Sequence, residues 1–314
     1  MRVLLVPMVA VMALCAVAVR GAAPDRAAEI ESQLKRNAFT DAEASLAAWK
    51  SEAPDDPDYF VCAANLVLRR SAPPLSVTPL KEGNYELTTD GSADGKSARG
   101  VAIRDPKTSE IVGRIGPGEP DDTALSQALT LLRQGGAKAP QRLDIAFGIA
   151  HLCWQLGDYG SQVDAITSGV EFAVRHPAKV RWVRGGKLPD PPDEFMARTL
   201  HKYVGELLER DAPTGYAVKV AELAARSFPK QPYAFNDLAG LSDMRGEESK
   251  VLSYLEQAHA AAPKDALVIR NLAYLHKRDG NKEKARKYYG MLLNLKGADP
   301  ELVSEARDEL KALK

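Results

Sequence analysis

Apolar residues recur three and four apart through most of the chain, the period of a helix that buries one side. Residues 27–36 and 41–51 read as two helices split at Asn37-Ala38-Phe39, with Asp41 as N-cap and Pro54 as terminator. Residues 58–70 read as a third helix, with Phe60, Ala64, Leu66 and Leu68 among its apolar positions. From 76 to 116 the period becomes two, in runs at 85–89, 100–104 and 110–115. These predict three strands, with Asp105-Pro106-Lys107-Thr108 as the turn of an antiparallel hairpin set between helices. So small a β element buries little alone and is expected to lie against adjoining helices. Helices resume at 121–133 and 142–156, the latter opening a hairpin through Gly157-Asp158-Tyr159 to residue 174. Residues 179–192 form an irregular, basic, proline-rich loop around Trp182, after which Asp193 is placed to cap the next helix. Residues 300–313 make a final amphipathic helix, with Pro300 in its first turn and Leu302, Ala306, Leu310 and Leu313 on one side.

Within the last third the helical pattern itself repeats. Segments 198–231, 232–265 and 266–299 align at a period of 34 residues with no gap. Leu238/Leu272, Ala239/Ala273, Gly246/Gly280, Tyr254/Tyr288 and Ala258/Leu292 coincide, and Val204, Gly205, Ala217 and Ala224 fall at matching places in the first segment. Each segment reads helix, turn, helix: Gly246 and Gly280 end a first helix where positive φ is cheap, and Pro229 and Pro263 close a second. This pattern resembles the tetratricopeptide repeat (TPR), closely over 198–313 and loosely over 27–174. In the looser part Ala42, Leu46 and Pro54 keep the expected places, whereas Trp49, Gln162 and Gly169 stand where small residues or alanines are usual. The layout is also similar to that of secreted bacterial TPR proteins. The resemblance implies a mainly α fold, a right-handed α-solenoid of TPR-like hairpins with a small antiparallel β-hairpin insertion. It further implies a groove lined by successive first helices, which takes an extended peptide or a partner helix. On that face stand Thr199, Lys202 and Glu206, then Tyr233, Asn236 and Asp237, then Arg270, Asn271, Tyr274 and Lys277. The Lys/Asn set with which some TPR domains clamp a terminal carboxylate is not reproduced.

The expected organisation is therefore a signal peptide at 1–21, a degenerate helical hairpin at 22–74 and the β insertion at 75–117. Degenerate TPR-like helices with the loop follow at 118–192, then the regular array with its capping helix at 193–314. The signal reading rests on the uncharged stretch 3–19 and the small residues of Ala16-Val17-Ala18, with cleavage there or after Gly21; uncleaved, the stretch would anchor the chain to a membrane. Leu14 before Cys15 argues against lipidation. Export, to a periplasm or the medium, leaves Cys62 and Cys153 where disulfides survive, but both lie on apolar helix faces and read as separate core residues. Charge is balanced, 42 basic against 42 acidic residues, so no field of one sign is offered to nucleic acid.

Candidate chemistry is sparse. Gly91-Ser92-Ala93-Asp94-Gly95-Lys96-Ser97 imitates a phosphate-binding loop, but only three residues separate its glycines and a strand pattern follows where a helix is needed. It reads as a hairpin loop. The histidines have no metal-ligand spacing, and no serine or cysteine carries a nucleophile signature. Acidic clusters at 55–58, 121–122 and 190–194 each precede a helix and read as caps. The expectation is a non-enzymatic module without cofactor or metal, binding a protein or peptide. The alternatives are an envelope glycan or peptide held by the insertion and the Trp182 loop, and an enzyme whose site lies outside known motifs.

Overall fold

The computed structural model describes residues 25–72, 76–77, 86–91, 98–104, 106, 108, 111–116, 120–210 and 212–313. The signal segment 1–21, loop residues 92–97 and turn residues Asp105 and Lys107 lie outside the described residues. The chain divides into two compact units, Met1–Ala165 with Lys179–Gly186, and Ile166–Ala178 with Lys187–Lys314.

The first unit begins with α1 (Arg26–Lys35), α2 (Phe39–Glu52) and α3 (Pro57–Ser71). Asp56 accepts a backbone N–H group at the start of α3, as the cap reading expects, and Asp25 does the same for α1. Asp41 does not cap: α2 starts two residues earlier, at Phe39, and Asp41 sits in its first turn, where a carboxylate still complements the helix dipole. Trp49 is buried, donates its indole N–H to Asp56 Oδ2 at 3.2 Å and meets Tyr59 edge-on at 6.4 Å. A bulky residue is thus accommodated where the repeat favours a small one.

The strands are β1 (Ser76–Val77), β2 (Glu86–Gly91), β3 (Ala98–Arg104) and β4 (Ile111–Gly116), in an antiparallel sheet of order β1-β4-β3-β2. Four strands replace the expected three. β1 pairs Ser76 and Val77 with Gly116 and Ile115, and two residues are too few to show alternation. Beyond the sheet come α4 (Asp122–Lys138), α5 (Leu143–Gln155) and α6 (Tyr159–Arg175). α3 and α4 pack on one another directly. Ser71 Oγ donates to Asp121 Oδ2 at 2.9 Å and accepts the Asp121 N–H at 3.2 Å, pinning together the ends from which the sheet departs. The sheet therefore sits in the connection of one helical hairpin.

Two cores form here, one around Ile30, Leu46, Trp49 and Phe60, the other around Leu125, Leu129, Leu132 and Ile145. Cys62 belongs to the first and Cys153 to the second; both are buried free thiols, and burial pushes Cys62 up to about 12. Residues 179–186 return to this unit. Leu143 donates to the Arg181 carbonyl at 3.0 Å, Trp182 is half-buried edge-on to Phe147 at 6.1 Å, and Arg184 reaches Asp25 and Glu31 at 2.8 Å each.

The second unit is helical: after the end of α6 come α7 (Pro192–Glu209), α8 (Thr214–Ser227), α9 (Tyr233–Met244), α10 (Glu248–Ala261), α11 (Ala266–Arg278), α12 (Lys282–Leu293) and α13 (Pro300–Ala312). The second helices of successive hairpins begin at Thr214, Glu248 and Lys282, 34 residues apart, and the turns before α10 and α12 carry Gly246 and Gly280 at φ +70° and +75°. Each helix packs on the next, and first helices also meet, α7 on α9 and α11 on α13. Asp193 lies in the first turn of α7 and does not cap it, the N-cap being Pro191.

Candidate functional site: the first-helix face of the C-terminal array

Residues about one repeat apart stand beside each other on neighbouring first helices, and here they are chemically complementary. Arg198 Nε on α7 donates to the Tyr233 hydroxyl on α9 at 2.8 Å, with its guanidinium 5.5 Å from the ring centre. His201 Nδ1 lies 2.7 Å from Asp237 Oδ1. Asn271 on α11 donates its amide to Asn236 Oδ1 at 2.7 Å, and Arg278 pairs with Asp243. Arg270 donates to Glu305 on α13 at 2.9 Å, and Lys277, about two turns further along α11, pairs with Glu309. The result is a polar ladder that ties α7, α9, α11 and α13 together.

The ladder changes the meaning of the sequence-derived residues. Asn236 and Asn271 are half-buried and committed to each other, and Arg270 is half-buried between Glu305 and the Tyr274 ring, 5.6 Å away. Asp237 is buried, its side chain 8% exposed, and its charge answers His201. Thr199 and Glu206 do not stand on the face at all. Both are buried, Thr199 donating its hydroxyl to the Phe195 carbonyl at 2.8 Å. Lys202 and Tyr274 remain exposed, and the Lys202 charge acts on buried Glu206 one turn along α7. His201 was not singled out from sequence, although its 36-residue separation from Asp237 is the signal that finds it.

Electrostatics follow burial. The bond to Asp237 holds the His201 imidazole above its ordinary range, while desolvation raises Asp237 against the pull of that histidine. Burial raises Glu206 to about 7. His276, buried and stacked on Tyr288 at 5.6 Å, is lowered by desolvation and by Lys284.

Two clefts lie elsewhere. One, of about 420 Å³, is in the first unit beside Asp25, Trp49, Asp56, Asp58 and Arg184. Its aspartates are occupied by the fold: Asp25 caps α1 and holds Arg184, Asp56 caps α3 and holds Trp49, and Asp58 accepts from Arg142. The other, of about 490 Å³, lies between Pro229, Phe235, Gln257 and Ala261 in the second unit. Among the described residues no group of three or more His, Cys, Asp or Glu is gathered to hold a metal ion, and no helix is long and apolar enough to cross a membrane.

The 34-residue spacing of helix–turn–helix units, with glycine at the turn and proline after the second helix, gives the second unit the architecture of a tetratricopeptide-repeat array. No protein-family model matches the chain, and neither does any curated protein. Solved structures similar to it include PilF of Pseudomonas aeruginosa, at 12% identity over 92% of this chain and 96% of that one, with a TM-score of 0.37. YrrB, described as a TPR protein with an unusual peptide-binding site, is similar at 13% identity over 59% of this chain and 84% of its own, TM-score 0.37. The thermophilic TPR protein TTC0263 of Thermus thermophilus is similar at 19% identity over 60% of this chain and 92% of its own, TM-score 0.34.

Proposed function

We propose that the protein is an exported, non-enzymatic interaction module whose first-helix face in the C-terminal array holds a peptide or partner protein. The observation that carries this reading is the division of labour on that face. Its charged and amide groups are fixed to one another across helices, while Lys202 and Tyr274 stand exposed among them. A surface whose side chains are already held loses little conformational entropy when a partner settles on it. An exposed tyrosine under an arginine supplies an aromatic anchor, and an exposed lysine supplies a charge-assisted hydrogen bond. Lys202, Tyr233, Asn236, Arg270, Asn271, Tyr274 and Lys277 are the groups proposed to meet the partner, with Asp237 acting through His201. Export rests on the apolar stretch 3–19 with its Ala16-Val17-Ala18 site, and the N-terminal sequence of the mature protein would report it.

The test is capture of partners by chemical crosslinking in the native host, identified by mass spectrometry, from the wild type and from Lys202→Glu/Tyr274→Ala. Both substitutions are at exposed positions and remove none of the hydrogen-bonding groups of the ladder. A partner seen with the wild type and lost from the variant supports the reading; partners that all persist would count against it.

A further inference from the structure

We propose that the His201–Asp237 pair is a proton-operated latch between the first helices of two successive hairpins, closed in acid and loosened as the imidazole loses its charge. The inference stands apart from partner binding and concerns how the array itself is held.

The geometry sets an unequal pair. Asp237 on α9 is 8% exposed at its side chain, whereas His201 on α7 is 45% exposed, so bulk pH reaches the imidazole while the carboxylate stays inside. One Asp237 oxygen lies 2.7 Å from His201 Nδ1; the other, Oδ2, has no hydrogen-bond partner among the described residues. A protonated imidazole supplies both a donor and the counter-charge. A neutral one still donates its N–H but leaves a buried anion uncompensated, and such a charge is costly to keep out of water.

The surroundings do not replace that counter-charge. On α7, Arg198 is held by Glu194 and by the Tyr233 hydroxyl, and Lys202 opposes protonation of the imidazole. From α9 the Tyr233 ring lies 5.9 Å from the imidazole, and α11 reaches the neighbouring Asn236 through Asn271. α8, packed on both α7 and α9, carries Tyr216, Lys219, Glu222 and Arg226, and α10, packed on α9, carries Glu248, Lys250, Tyr254, Glu256 and His259; none of these is among the charges acting on the pair. Both members bind a proton more readily in the fold than in free solution, so their signs agree. The imidazole's contribution is complete below its ordinary value of 6.5 and is lost as pH rises through the higher folded one. Asp237, raised from 3.8 by burial, acts in the same sense. His276, lowered in the fold, gives the α11–α12 hairpin the opposite dependence and serves as an internal contrast.

The experiment is hydrogen exchange on the full chain in a Glu206→Gln background, which removes the buried acid of α7. Protection factors for α7 and α9, corrected for intrinsic exchange, are compared at about pH 5.5 and about pH 8. The expected result is protection roughly threefold or more higher at the lower pH, falling to no difference in Asp237→Asn and in His201→Gln/Asp237→Asn, which leave no buried carboxylate to titrate. The double variant keeps an amide on each helix, with no buried charge left uncompensated, and decides the matter where Asp237→Asn does not fold. A pH ratio that survives Asp237→Asn or the double variant, or no ratio while both His201 and Asp237 are present, overturns the latch.

Discussion

Arg142 is the sharpest place to perturb the first unit. Its side chain is 4% exposed, with Nε donating to Asp144 Oδ1 at 2.9 Å and one terminal nitrogen shared between Asp144 Oδ2 at 2.8 Å and Asp58 Oδ1 at 2.7 Å. Those bonds tie the start of α5 to α3. Arg142→Met keeps an apolar stem of similar length and leaves two carboxylates, 23% and 12% exposed, without their cation. Removing one side of a buried ion pair costs about 3–5 kcal/mol, and the partial exposure of Asp58 places the expected loss near the lower figure, about 3 kcal/mol. The loss depends on pH with a definite sign. Burial already raises Asp58 above 3.8 although Arg142 lowers it, so the variant lifts it further. A raised carboxylate contributes stability that is full below its unfolded value and disappears as pH rises through the folded one. The deficit of the variant should therefore be largest near neutrality and shrink in acid, as the raised Asp58 carboxyl takes up its proton. Urea unfolding followed by circular dichroism at neutral and acid pH measures this, and Arg142→Met/Asp58→Asn/Asp144→Asn should regain part of the loss at neutral pH. A deficit below about 1 kcal/mol, or one that grows in acid, would refute the reasoning.

Glu206, buried on α7 and raised from 4.5 to about 7 by desolvation, should make stability fall as pH rises through that window. Glu206→Gln should remove its own share of the slope and gain up to about 3 kcal/mol over wild type above neutrality, checked by urea melts across the range. Gly135 in α4 allows close approach to α3, since an added Cβ would lie 2.9 Å from Phe60 Cβ. Gly135→Ala should destabilise by about 1–2 kcal/mol despite alanine's better helix propensity, and a more stable variant in thermal melts would contradict that packing.

The repeat spacing was legible because a solenoid imposes it on every hairpin: small residues, turn glycines and closing prolines recur wherever helices touch or turn. The second helices at Thr214, Glu248 and Lys282 follow that spacing directly. Thr199 and Glu206 were misplaced because position within a repeat was taken to define exposure, whereas both side chains turn into the core from the 18-residue α7. The acids Asp41 and Asp193 were read one turn too early, since a carboxylate favours both a cap and the first turn behind it. The Ser71–Asp121 clasp joins residues 50 apart and follows no local pattern. The ladder was within reach: a 34-residue repeat brings residues 35 or 36 apart together, and Arg198/Tyr233, His201/Asp237 and Arg270/Glu305 all fit. Which polar groups such pairing consumes, and which it leaves for a partner, depends on side-chain geometry and not on spacing.

The most direct measurement is site-specific photocrosslinking in the native host. A photoreactive residue is placed in turn at Lys202 and Tyr274 on the first helices, and at Glu222 on α8 and Gln257 on α10. If the first-helix face is the working surface, both of its positions should capture the same protein and neither second-helix position should. Capture from Gln257 alone, or adducts of equal yield from all four positions, would contradict the account.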